Sequence, residues 1–141
     1  MSRLQYFAGL ADQVSSALAY YWPVTLALLG LNMGVVMLTL RRRRQPIEPR
    51  LWWSLSPLCL SAVILLFGAL FEESARATAL DSSWPVRAVY ALLFAHFPVA
   101  ILLVSLLRGF RWLAAAVSAL ITWVSVWAAA VSVMSITGNW L

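Results

Sequence analysis

Lysine is absent from this chain of 141 residues, histidine and cysteine occur once each, and only five residues are acidic. Each scarcity excludes something. With Cys59 alone, no disulfide closes within one chain and no cysteine-built metal site forms in a single copy. With His96 alone, there is no His/Cys/Asp/Glu cluster at metal spacing and no Ser–His–Asp set, and a glycine-rich phosphate loop is missing too. No enzyme is expected, and no cofactor. Charged residues make up 11% of the chain, against about 25% in ordinary soluble domains. Hydrophobic residues make up 63%. A globule this small hides only a modest fraction of its surface, so the apolar excess has to face lipid. The chain reads as an integral membrane protein with a single domain over residues 1–141.

All ten basic residues are arginine, and the formal net charge is +5. Such a balance often marks a nucleic-acid partner, but the arrangement argues otherwise. Four arginines, Arg41 to Arg44, follow an apolar run directly, which is where a membrane protein places cytoplasmic charge. Nucleic acid is therefore excluded as a partner; the lipid bilayer is the expected surroundings.

Hydropathy patterning predicts an all-α fold with four transmembrane helices in a bundle and an N-terminal amphipathic helix. Over residues 3–19, Leu4, Phe7, Leu10, Ala11, Val14 and Leu18 share one helical face. Gln5, Asp12, Gln13 and Ser16 share the opposite one. This segment is too polar to span, and a helix lying in the membrane interface is expected; a helix capping the bundle is the competing arrangement. Spans are expected at about residues 20–40, 51–71, 86–107 and 112–136, each long enough to cross roughly 30 Å of hydrocarbon. Tyr20, Tyr21, Trp22, Trp52, Trp53 and Trp140 fall where interfacial aromatics belong. Cys59, in an apolar stretch, is expected to be buried.

Arginine placement predicts orientation. Arg41, Arg42, Arg43, Arg44, Arg50, Arg108 and Arg111 fall on one side, against Arg3, Arg76 and Arg87 on the other. The arginine-rich loops should be cytoplasmic and both termini outside, in the periplasm for a bacterial inner membrane.

Within the spans, His96 is the one ionisable side chain near mid-membrane, and Pro98 follows two residues later. Three readings compete: an axial ligand to a haem or pigment, a proton-handling group in an oligomeric channel, or a neutral imidazole hydrogen-bonded to another helix. A proline inside a helix frees the carbonyl four residues back, here Phe94, and a donor is expected for it. The other polar residues read as helix-packing or partner contacts. On the last span Ala115, Ser118, Thr122, Ser125, Ala129 and Ser132 make a small-residue stripe. On the second, Ser54, Ser61 and Gly68 repeat every seven residues. On the first, Gly30 and Gly34 form a GxxxG pair, and Asn32 projects from the opposite face with Thr25 and Thr39. That span therefore has contact features on two faces, where a peripheral helix of a lone bundle needs one. Trp123 and Trp127, near mid-span and off the stripe, ask for a cover of protein or aromatic ligand.

Three functions are consistent with these features. The first is a non-catalytic protein that binds a larger membrane protein, either as an accessory subunit of an inner-membrane complex or as an immunity protein against a pore-forming toxin. The second is a small oligomeric channel or transporter. The third is a haem- or pigment-binding subunit using His96. Another membrane protein, or further copies of the chain, is the expected partner.

Overall fold

The computed structural model describes residues 3–42, 49–71 and 84–138. Residues 43–48, the acidic stretch at 72–83 and residues 139–141, with Trp140, lie outside the described residues. Five α-helices follow in order: α1 (Arg3–Tyr20), α2 (Trp22–Arg42), α3 (Pro57–Leu70), α4 (Trp84–Leu106) and α5 (Arg111–Thr137). The chain is an all-α membrane-type bundle, and among the described residues four helical segments are long and apolar enough to cross a bilayer. Its outer surface shows why water is the wrong solvent. Leu26, Met33, Leu66, Phe94, Ile101 and Leu106 are all exposed.

α5 is the axis of the bundle. Its 27 residues span about 40 Å at the helical rise, and every other helix packs on it. It ends at Gly138, which takes the left-handed φ of 69° that closes a helix at low steric cost. Hydrogen bonds between helices give the directions. Ser61, Ile64 and Gly68 of α3 meet Ser125, Ser132 and Ser135 in the same order, so α3 runs parallel to α5. Thr25 and Asn32 of α2 meet Trp123 and Ala116 in reverse order, so α2 is antiparallel. α4 returns to α5 through a short 3-10 turn, Arg108–Phe110, and is antiparallel as well.

The second span, Trp52–Leu70, falls where it is expected at about 51–71, but its first turns are not α-helical. Instead of an α-helix from residue 51, a 3-10 stretch occupies Pro49–Leu55 and the α-helix begins at Pro57. Pro57 has no N–H to continue the ladder, and its fixed φ suits the first turn of a helix. The tighter bonds Ser56 N–H to Trp53 and Cys59 N–H to Ser56 carry the chain across the junction. Pro98, in contrast, lies inside α4 without ending it.

α1 docks on the bundle. Leu10 and Val14 are buried in the core cluster with Ile64, Val89, Ala128 and Ile136, while Asp12, Gln13 and Ser16 are exposed. The amphipathic pattern is thus answered by α3 and α5 of the same chain. The Tyr6 hydroxyl lies 3.0 Å from Ser135 Oγ, which brings the start of α1 to the end of α5. Arg41 and Arg111 lie at the opposite end.

Cys59 is exposed rather than buried. It lies on the outer side of α3 with Leu58, Ala62 and Val63. In a bilayer protein, apolar neighbours in sequence mark lipid-facing positions as readily as core ones.

Candidate functional site

The sequence-predicted positions fall into three groups: a polar centre, an internal seam on α2, and an outward face on α2. The polar centre joins α3, α4 and α5. His96 is 1% exposed and Ser125 is fully buried. Imidazole Nδ1 lies 3.1 Å from the Leu92 carbonyl one turn back; a carbonyl only accepts, so Nδ1 carries the proton. Nε2 lies 2.7 Å from Ser125 Oγ. Ser61 Oγ is 2.7 Å from the same oxygen, and the Ile121 carbonyl is 2.8 Å away. The neutral Nδ1–H tautomer satisfies the ring: Ser61 donates to Ser125, and Ser125 directs its one proton to Nε2, with the Ile121 carbonyl close enough to share it.

Both ring nitrogens are thus engaged by protein. A haem or metal at His96 would have to displace either Ser125 or the Leu92 carbonyl. The Phe94 carbonyl freed by Pro98 is not what His96 serves, because its two bonds go to Leu92 and Ser125. Among the described residues, no three His, Cys, Asp or Glu side chains come together to hold a metal. His96→Gln, which retains a donor and an acceptor, is expected to keep the bundle intact. His96→Leu should lower stability by about 1 kcal/mol, the scale of one intramembrane hydrogen bond. Thermal unfolding of both variants in mild detergent checks this; a Gln variant as unstable as the Leu variant contradicts the structural role.

Around this centre the α5 stripe divides. Ser125 and Ser132 face α3, and Ser132 Oγ donates to the Ile64 carbonyl at 3.0 Å. Ser135, one turn on, donates to the Gly68 carbonyl at 2.9 Å. The backbones almost touch there: a Cβ built on Gly68 would sit 2.8 Å from Ser132 Cα. Ala115, Ser118 and Thr122 instead line a groove between α4 and α5. Thr122 bonds back to the Ser118 carbonyl at 2.8 Å.

The internal face of α2 carries the seam predicted for Thr25, Asn32 and Thr39. Thr25, Leu28, Asn32, Val35 and Thr39 are its half-buried positions, spaced three and four apart as one helical face requires. Asn32 Nδ2 donates to Leu28 of its own helix at 2.9 Å and to Ala116 of α5 at 3.0 Å. Trp123 Nε1 donates to Thr25 Oγ1 at 3.2 Å, and Tyr21 stacks on Trp127 with ring centroids 4.7 Å apart. Both rings are covered by the chain itself at the junction of α1 and α2, although the buried Trp127 Nε1 has no hydrogen-bond partner among the described residues. Nothing in the sequence around Trp127 names Tyr21, because the contact spans more than a hundred residues.

Gly30 and Gly34 stand on the opposite face of α2. Both are exposed, and a Cβ added to either would meet nothing within 4 Å. Ala27 is exposed on the same side. No residue of Trp22–Arg41 is fully buried. α2 is therefore held along one face by α5, while its small-residue face meets none of the described residues. Comparison of the chain with family models, curated proteins and solved structures finds no match.

Proposed function

We propose that this chain is a non-catalytic multi-pass membrane protein that binds a larger membrane protein through the outward face of α2. The free Gly30–Gly34 face supports the reading. Glycine in a helix is less favourable than alanine by about 1 kcal/mol, and a helix that merely faces lipid gains nothing from two of them. Small residues are useful where another helix backbone approaches closely. The internal needs of α2 are already met by Thr25, Asn32 and Thr39, so the glycines answer to something outside the bundle. The partner is a transmembrane helix of another protein, as for an accessory subunit of an inner-membrane complex or an immunity protein against a pore-forming toxin.

The test separates folding from assembly. In the doubly substituted Gly30→Leu, Gly34→Leu chain, stability in detergent should be unchanged or raised, by up to about 1 kcal/mol per site. The complex isolated from native membranes should be lost. A complex that survives both substitutions contradicts the reading.

The proposed location is the bacterial inner membrane, with Arg41 and Arg111 at the cytoplasmic end and both termini periplasmic. The seven-to-three division of arginines between the two sides supports it. A reporter fused at residue 46 or 110 should read as cytoplasmic and one at residue 78 as outside. A cytoplasmic signal at residue 78 would reverse the orientation.

A further inference from the structure

A groove of about 720 Å³ runs along the outside of the bundle between α4 and α5. Its walls are mostly apolar, with Phe97 and Ile101 on α4 and Ala115 and Ala119 on α5; of its four polar residues, Ser105 and Thr122 bond back to carbonyls of their own helices, which leaves Arg111 and Ser118. Arg111, at the start of α5, lines one end, and no ion pair or hydrogen bond among the described residues engages it. Its helix begins without a side-chain cap, so the first-turn N–H groups add positive potential at the same place. Ser118 lines the groove further in. It is 5% exposed, and its hydroxyl is buried with no hydrogen-bond partner. Buried hydroxyls are nearly always bonded, so rotation of this side chain toward the groove it lines, where an acceptor from outside the chain can meet it, is expected.

From these features we infer that the groove binds one anionic phospholipid. The occupant has to be apolar over most of its length, to carry a negative group for Arg111, and to present an uncharged oxygen acceptor to Ser118. A phospholipid combines them in that order: phosphate, ester carbonyl, acyl chain. Ser118 lies seven residues along α5 from Arg111, about 10 Å by the helical rise. Arg111 borders this groove and also the hollow beside Val35 and Thr39 of α2, and a side chain of its length can swing along α5 to shorten that separation. A headgroup held by Arg111 therefore leaves the lipid's ester carbonyls beside Ser118 and its chains against Phe97 and Ile101. This site is separate from the Gly30–Gly34 face and does not rest on the proposed partner.

The test is native mass spectrometry of the detergent-purified full chain, titrated with phosphatidylglycerol, phosphatidylcholine and a diether phosphatidylglycerol that lacks ester carbonyls. Phosphatidylglycerol should be preferred over phosphatidylcholine by about fivefold, the factor expected for one arginine at an anionic lipid. Arg111→Gln should abolish that preference. Wild type should bind the diester form more tightly than the diether form, and Ser118→Ala should remove this difference. Ala119→Trp, at an exposed position, should fill the groove and eliminate the first bound lipid of either kind. Retention of the headgroup preference in Arg111→Gln, or of the bound lipid in Ala119→Trp, would overturn the assignment. Loss of the preference on adding inorganic phosphate alone would overturn it too, since the site would then hold the anion and not the lipid.

Discussion

Gly68→Leu is expected to be the most damaging single change on α3. The new Cβ would lie 2.8 Å from Ser132 Cα, and a backbone atom cannot rotate out of the way. The helices have to part. Overpacking of this kind costs about 1–3 kcal/mol, and parting α3 from α5 also weakens two interhelical bonds, from Ser132 to Ile64 and from Ser135 to Gly68. Each such bond contributes about 0.6 kcal/mol within a membrane protein. Even Gly68→Ala should destabilise, whereas Gly30→Ala should not, because nothing lies near a Cβ at residue 30. Thermal unfolding in detergent, followed by tryptophan fluorescence, compares the two glycines directly. Equal tolerance at residues 68 and 30 would show that α3 and α5 do not approach as described.

Ser125→Leu is the second large effect, and it arises differently. Ser125 is fully buried and touches α3 and α4 at once through Ser61 and His96. Leucine adds volume where there is none, at about 1–3 kcal/mol. It also removes the partner of imidazole Nε2 and of the Ser61 hydroxyl, and a buried polar group left unpaired costs about 1–3 kcal/mol more. Val126→Leu, one residue on but exposed, should be tolerated. Ser125→Ala separates the two contributions, because it removes the hydroxyl without adding bulk. Its loss should be clearly smaller than that of the leucine variant, and the same unfolding measurement reads it. A leucine variant as stable as wild type would mean that the polar centre is not packed.

How these residues were legible in the sequence differs from one to the next. The heptad Ser54, Ser61, Gly68 and the stripe through Ser125 and Ser132 were each visible as periodicities. Their pairing was not, because a periodicity identifies a face and says nothing of which helix meets it. The same holds for His96: its isolation in an apolar stretch was plain, but Ser125 as its partner depends on the angle at which α5 returns along α4 after the Arg108–Phe110 turn. Thr25, Asn32 and Thr39 were set apart from Gly30 and Gly34 by helical spacing alone, and that division persists in three dimensions. The amphipathic face of α1 was legible too, but amphipathicity fits a lipid interface and a protein groove equally, and Leu10 and Val14 are buried against protein. Pro57 is a readable breaker, but it lies within a stretch apolar enough to span, so hydropathy alone does not show the change of helix type there. For Cys59 the inference from apolar neighbours to burial fails for a physical reason: the solvent is itself apolar.

The most direct test of partner binding through α2 is photocrosslinking in native membranes, with a photoreactive side chain placed singly at residues 28, 30, 34 and 66. Residue 28 lies on the face of α2 that meets α5, and residue 66 is an exposed position on α3. Adducts to a second, larger membrane protein are expected at 30 and 34, an internal link to α5 at 28, and lipid adducts alone at 66. Residues 30 and 34 yielding the same lipid-only pattern as residue 66 would contradict it, and so would an adduct of exactly twice the chain's mass, which would place a second copy of the chain on that face.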